Sequence, residues 1–294
     1  MNKISLLCLL FLPLFGHAQS NESSLLWRIE GPGLEQPSYL YGTIHLLCKE
    51  DLQLTEPLRQ AFAATQQLVL ELDMDDPGMF SDMQQHMVMT NGGNLKNLMD
   101  EEEYATLNQF FHDSVGMGLG LLNRFKPFVL QTFLYPNLLG CNPVSYEEEF
   151  VRWAKKAKVE VHGLETIDRQ MGVFDNIPYE EQVTWLMEMV DDYDQSRKDL
   201  QVLITTYRNQ DLDKLSAWMV ESMTEYEDYG TLLLDDRNTD WLPKMESFMK
   251  DQATFFGVGA GHLGGEKGVL NLLREVGYTV SPISLQMQQE AVAD

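Results

Sequence analysis

Ser38-Tyr-Leu-Tyr-Gly-Thr-Ile-His45, the amphipathic stretch from Thr55 to Gln67, and Leu68-Val-Leu-Glu-Leu72 together decide the fold class. Ser38 to Tyr41 reads as a strand ending at Gly42. Thr55 to Gln67 carries apolar residues at helical spacing, with Thr55 in the N-cap position and Pro57 in the first turn, where its missing N–H is not needed. Leu68 to Leu72 is almost continuously apolar, the pattern of a strand covered on both faces in a parallel sheet. Strand, turn, helix and strand in that order form an α/β unit.

The other end of the chain repeats the layout. Ala253 to Val258 reads as a strand, Gly259 to Gly265 as a glycine-rich turn, Lys267 to Val276 as a helix stopped by Gly277, and Tyr278 to Ile283 as a last strand. Between the ends, Phe150 to Lys158 has helical spacing, and Val159-Glu-Val161 leads as a short strand to Gly163. The expected class is α/β, with a mainly parallel or mixed central sheet built from the two chain ends. Residues 80–140 and 176–250 are rich in Met, Leu, Gln, Asp and Glu and read as helical insertions into a single domain spanning 19–294. The methionines clustered there, among them Met83, Met87, Met187 and Met189, are read as core filler.

Charge and the N-terminus bound the functional classes. The 294 residues hold 21 Lys+Arg against 45 Asp+Glu, a net charge of −24, which argues against nucleic acid and anionic membrane surfaces as partners. Met1-Asn-Lys3, the apolar run Ile4 to Phe15 and the small-residue site Gly16-His-Ala18 have the three-part layout of a signal peptide over 1–18, too short to span a membrane. The mature protein is therefore expected to be exported, periplasmic or secreted, with no transmembrane segment. Cys48 and Cys141 are the cysteines left to it; spacing alone does not say whether they pair, and no Cys-x-x-Cys metal site exists.

The chemistry collects at strand ends. His45 follows the first strand, Glu71 lies at the end of the second, Glu165 follows the short central strand, and His262 follows the strand Ala253–Val258. Ligands in open α/β sheets bind outside the carboxyl ends of parallel strands, so these four side chains can converge. Imidazole with carboxylate suits a divalent metal such as Mn, Co or Zn. A metal with an open position polarises a carbonyl and activates water, leaving a spare glutamate as general base. Each signal alone has a plainer reading: His45 as a histidine at a helix start, Glu165 as a helix cap. Glu71, in an apolar strand, needs a partner in either reading. Two Gly-x-x-His tetrads, each between a strand and a helix at opposite ends of the chain, favour a shared site. Gly259-Ala-Gly-His-Leu-Gly264 fits a dinucleotide fingerprint formally, but the next strand ends without an acid and too little chain follows for further units. There is no Walker A loop, no Gly-x-Ser-x-Gly elbow and no His-Glu-x-x-His helix.

These motifs resemble the TraB/GumN family, a group that includes the animal TIKI proteases. Four stretches carry the resemblance: Pro37-Ser-Tyr-Leu-Tyr-Gly-Thr-Ile-His45, Leu68-Val-Leu-Glu-Leu-Asp73, Gly163-Leu-Glu-Thr166 with Gln170 downstream, and Gly259-Ala-Gly-His-Leu-Gly-Gly-Glu-Lys-Gly268. Asp236-Arg-Asn238 and Lys126-Pro-Phe128 add to it. The resemblance implies a central pair His45 and His262, acidic partners Glu71 and Glu165, and Arg237 as the matching arginine, whose guanidinium suits a carboxylate or an oxyanion. Pro243 is expected to end or kink the helix around Arg237. Where many relatives carry Gly-Val-Asp, this chain has Pro143-Val-Ser-Tyr-Glu147, which leaves the role of Glu147 open. The animal members look like metal-dependent peptidases, but the substrate does not carry over by resemblance; the leading expectation is a metal-dependent hydrolase with peptides as its first substrate class, with His45, His262 and Glu71 on the metal and Glu165, Glu71 and Arg237 in catalysis. The alternative is a non-catalytic envelope protein that sequesters a peptide or other small ligand in the same cleft. Substrate, metal identity and oligomeric state are not set by sequence.

Overall fold

The computed structural model describes residues 23–224 and 227–285. The region read as a signal peptide lies outside them. A six-stranded mixed sheet forms the centre, in the order β4-β3-β5-β2-β1-β6. Its strands are β1 (Leu26–Glu30), β2 (Ser38–Thr43), β3 (Gln67–Leu70), β4 (Glu160–Gly163), β5 (Thr254–Gly259) and β6 (Thr279–Ile283). The ladders β2–β5, β5–β3 and β3–β4 are parallel, while β1 runs antiparallel to both β2 and β6. Hence β2, β3, β4 and β5 all end at the same edge of the sheet. Register tightens this: Thr43 pairs with Gly259, and Leu70 pairs with both Gly257 and Gly163.

The strands read from sequence are present within a residue or two, and the class is α/β as expected. One strand was not anticipated. Leu26-Trp-Arg-Ile-Glu30 has buried Leu26, Trp27 and Ile29 and exposed Arg28 and Glu30, and it closes the gap between β2 and β6. The sheet is built mainly from the chain ends, with β4 contributed by the middle.

Helices cover the sheet. Helix Tyr146–Ala157 lays Phe150, Val151 and Ala154 against it, where the Phe150 ring meets Phe255 edge-on at 5.1 Å. Helix Asp236–Asp251 buries Trp241, Met245 and Met249. Pro243 neither ends nor caps this helix, which runs on to Asp251. The buried face on either side of the proline holds the helix together, a tertiary gain that overrides the lost backbone hydrogen bond. Thr55 precedes helix Glu56–Ala63 as read, but its hydroxyl makes no capping bond. A second apolar cluster lies among the helices of residues 80–140 and helix Tyr179–Asp191, around Leu107, Phe111, Leu130, Leu134 and Leu186, with Met187 and Met189 packed against it. Among the described residues no helix is long and apolar enough to cross a membrane.

Cys48 and Cys141 form a disulfide, with Cα atoms 5.8 Å apart. Beside it, Leu47 and Val144 exchange two backbone hydrogen bonds as an isolated antiparallel bridge, at 3.1 and 2.9 Å. The segment after β2 is thereby stapled to the segment leading into helix Tyr146–Ala157.

Candidate functional site

The parallel strand ends deliver the side chains named above to one cluster. Glu71 leaves the end of β3 and is buried. Glu165 follows β4 and is also buried. His262 sits in a single 3-10 turn after β5, and His45 follows β2. Arg237, from helix Asp236–Asp251, reaches into the middle. Two glycines make the convergence possible. A Cβ on Gly163 would stand 2.7 Å from the Asp73 backbone nitrogen and 2.9 Å from the Glu165 carbonyl oxygen, so only glycine lets β4 pass this close to the end of β3. A Cβ on Gly259 would stand 3.3 Å from Glu71 Oε1, 3.5 Å from His45 Nε2 and 3.6 Å from His262 Cδ2, so this glycine keeps open the space the three share.

Arg237 is the hub. Its Nη2 donates to Glu71 Oε2 at 2.6 Å and to Glu165 Oε1, and its Nε donates to Glu165 Oε1 and Oε2 at 3.1 and 3.2 Å. Nη1 donates to the Leu233 carbonyl and to His262 Nε2, each at 3.1 Å. The guanidinium also lies over the Trp241 ring, 4.9 Å from its centre. Gln170 joins the two acids, donating to Glu71 Oε2 at 3.0 Å and to Glu165 Oε1 at 3.2 Å. Trp241 Nε1 donates to Glu165 Oε2 at 3.4 Å.

The tautomers follow from the partners. Asn238 Nδ2 donates to the Lys267 carbonyl at 2.9 Å, which turns its Oδ1 toward His262 Nδ1 at 2.7 Å. Nδ1 of His262 therefore carries the proton, and Nε2 presents a lone pair to the interior. His45 is arranged in the same way. Its Nδ1 donates to Glu147 Oε1 at 2.8 Å, and its Nε2 faces Glu71. Each Nε2 stands 3.9 Å from the same oxygen, Glu71 Oε1, which also accepts the Gly259 N–H at 2.8 Å.

Electrostatics sort the ionisable groups. Burial would raise the Glu71 carboxyl, but His262, His45, Arg237 and the Gly259 N–H outweigh it and hold the group at about 2. Complete burial drives His262 down to about 3, so the ring is neutral. For His45, enclosure pushes the ring down, but the hydrogen bond and charge of Glu147, with Glu71 behind, carry it up to about 9. Much of the His45 side chain is exposed, but Nδ1 lies on the enclosed side. Burial also opposes the Arg237 charge, and the two glutamates more than restore it.

This donor set suits a divalent cation. Three carboxylates (Glu71, Glu165 and Glu147) face one permanent cation, Arg237, so two negative charges remain when the imidazoles are neutral. A dication neutralises that excess; a proton on His45 neutralises half of it. His45 Nε2, His262 Nε2 and Glu71 Oε1 aim at one region, and both rings are fixed from behind through Nδ1, the usual support of metal-bound imidazole. Two features stand against immediate occupancy. The 3.9 Å separations exceed the roughly 3.4 Å expected between donors on one tetrahedral ion, and Arg237 Nη1 already uses the His262 lone pair. Accordingly, no group of three or more His, Cys, Asp or Glu among the described residues is close enough to hold a metal as it stands.

Sequence reasoning placed five residues here: His45, Glu71, Glu165, Arg237 and His262. It missed the supporting set. Gln170 and Asn238 lie within quoted motifs but were given no role, and Thr43 and Trp241 were not singled out. The signal for Asn238 was adjacency to Arg237, which on a helix places both near the same strand end. A cleft of about 410 Å³ opens beside the cluster, lined by Leu72, Asp73, Met79, His162, Glu165 and Phe248 among others, and meets the cluster at Glu165.

The comparisons agree with this reading of the motifs. The TraB/PrgY/gumN family profile matches residues 25–282. The chain is 21% identical to Metalloprotease TIKI2 of Danio rerio over 90% of its own length and 61% of that protein. It is 22% identical to Metalloprotease TIKI1 of the same fish, over 89% of this chain and 63% of the relative. It is also 21% identical to an uncharacterised protein of Treponema pallidum (strain Nichols), over 87% and 82% of the two chains. The chain thus spans about three fifths of the length of the two fish relatives. No solved structure matches.

Proposed function

The chain belongs to the TraB/PrgY/gumN family, and from that premise we propose that it is an exported metal-dependent hydrolase acting on peptides. The observation that carries the reading is the pair of imidazoles whose Nε2 atoms face one buried carboxylate oxygen inside a site with excess negative charge. The metalloprotease names of two relatives, at low identity, support the reaction class. The Cys48–Cys141 disulfide supports export, because such bonds persist in oxidising compartments.

His45, His262 and Glu71 would hold the metal. When bound, a divalent metal supplies a Lewis acid that polarises a carbonyl and lowers the pKa of a water. Glu165 takes up the proton released by the nucleophile at Oε2, the oxygen held only by Trp241 Nε1 and Arg237 Nε. Arg237 offers Nη1 to the substrate oxygen on which negative charge develops, in place of its present contacts. The adjoining cleft, reached past Glu165, accommodates an extended segment.

The Arg237–His262 contact favours a second reading, a non-catalytic protein that binds a peptide or small ligand in the cleft. Turnover separates the two. Peptide mixtures incubated with protein reconstituted with Mn, Co or Zn are to be followed by mass spectrometry. The hydrolase reading expects cleavage that stops on chelation and in Glu165→Gln, while Glu165→Gln keeps its metal. Peptides bound but left intact support the second reading instead.

A further inference from the structure

Glu147 stands apart from the strand-end pattern, and its surroundings are specific. It lies in the first turn of helix Tyr146–Ala157, whose N-cap is Ser145, at the end of the helix where backbone N–H groups favour a negative charge. Its side chain is buried, and Oε1 takes two hydrogen bonds, from the Thr43 hydroxyl at 2.5 Å and from His45 Nδ1 at 2.8 Å. Oε2 is buried without a partner. The hydrogen bonds to the Glu147 carboxylate both come from the segment around His45, one from the ring itself.

The backbone around the pair is held with equal care. The Leu47–Val144 bridge and the Cys48–Cys141 disulfide join the two segments just beyond His45 and just before Glu147. They fix the distance between the partners independently of the partners themselves. The exposed His45 ring, which its own surroundings would leave free to turn, is thus restrained from one side.

We propose that Glu147 is a positioning residue: by accepting the Nδ1 proton it holds the His45 ring so that Nε2 faces Glu71 Oε1. The use to which Nε2 is then put rests on the metal reading above; the orientation does not. Glu147 is the counterpart, on His45, of Asn238 on His262.

The test uses protein with ¹⁵N-labelled histidine, free of metal, and follows the His45 Nδ1 proton by NMR. In the wild type this proton is expected at low field and protected from solvent exchange. It is expected to be lost in Glu147→Ala and kept in Glu147→Gln, which retains the acceptor. Titration of zinc alone is expected to show affinity weakened about 10–100-fold in Glu147→Ala and largely recovered in Glu147→Gln. An Nδ1 proton equally exposed in wild type and Glu147→Ala overturns the proposal; zinc affinity unchanged in Glu147→Ala while the Nδ1 proton is lost supports the orienting role and refutes the placing of the metal at His45. Were Glu147→Ala unable to fold, the wild type alone decides at alkaline pH: a neutral His45 ring protonated at Nε2 overturns it, and one protonated at Nδ1 supports it. A wild type that binds no zinc refutes the metal reading, while the Nδ1 proton still judges the role of Glu147.

Discussion

Arg237 holds the site together at the scale of single residues. It is buried between Glu71 and Glu165, so its removal leaves two acids facing each other without a counter-charge. Arg237→Ala is expected to lower the unfolding free energy by about 3–5 kcal/mol in denaturant titrations. Arg237→Lys should recover little, since a point charge cannot serve both acids and His262 at once. A loss under about 1 kcal/mol for Arg237→Ala would show that the pairing carries no such weight. His45 gives the pH dependence. Its folded pKa, about 9, lies above the ordinary histidine value of 6.5. A group raised on folding stabilises fully below its unfolded pKa and loses that contribution as pH rises through the folded one. Stability of the metal-free protein should therefore fall between about pH 6.5 and 9 through this ring, and Glu147→Gln should flatten that part of the profile. An NMR titration of His45 with a midpoint near 6.5 would contradict the assignment. His45, Glu71, Glu165 and His262 were legible in the sequence because each lies at a strand end, where local pattern marks position, whereas Arg237, on a helix, was named only through the family resemblance. Gln170, Asn238 and Thr43 were not, because an amide or hydroxyl in a helix or strand carries no sign of its partner across the fold.

The decisive element is the set of parallel strand ends, and the glycines there set how closely they meet. Gly259 has φ −52° and ψ 136°, angles open to any residue, so its absence of a side chain matters for space rather than for backbone freedom. Gly259→Ala is expected to keep the fold, with a thermal midpoint within a few degrees of wild type, while the added methyl crowds Glu71 Oε1 and fills the space against His45 Nε2. Metal affinity should fall at least tenfold; unchanged affinity would place the binding point elsewhere. The disulfide acts at the same scale. It closes a loop of 93 residues' separation, a constraint worth roughly 2–5 kcal/mol in the unfolded chain. Most elements were readable from periodicity. Strand β1 was overlooked although Leu26-Trp-Arg-Ile-Glu30 alternates and is followed by Gly31-Pro-Gly33. Its place near an apolar N-terminus hid it. Pro243 does not end its helix as one of its two expected effects would have it: that rule is local, and the packing of Trp241, Met245 and Met249 is not.

Across the whole molecule, the charge balance and the site point the same way. The chain carries −24 overall, and its candidate centre keeps two uncompensated negative charges when the imidazoles are neutral. Such a protein attracts cations over its surface and concentrates the attraction at one buried point. Residues 80–140 and 176–250 supply only Arg237 among the five principal side chains; they add Asp82 and Phe248 to the wall of the adjoining cleft and pack on each other in the second apolar cluster. The fold class was legible because the two chain ends repeat one α/β unit, whereas the way the insertions pack on each other depends on distant side chains that no local pattern records. The central claim is that the strand ends form one metal centre. It is tested most directly by elemental mass spectrometry of the protein after exposure to Mn, Co and Zn and removal of loosely held ions, beside the His45→Ala/His262→Ala double variant. Close to one metal per wild-type chain and almost none in the double variant is expected. A wild type that retains no metal, or a double variant that retains as much, would contradict it.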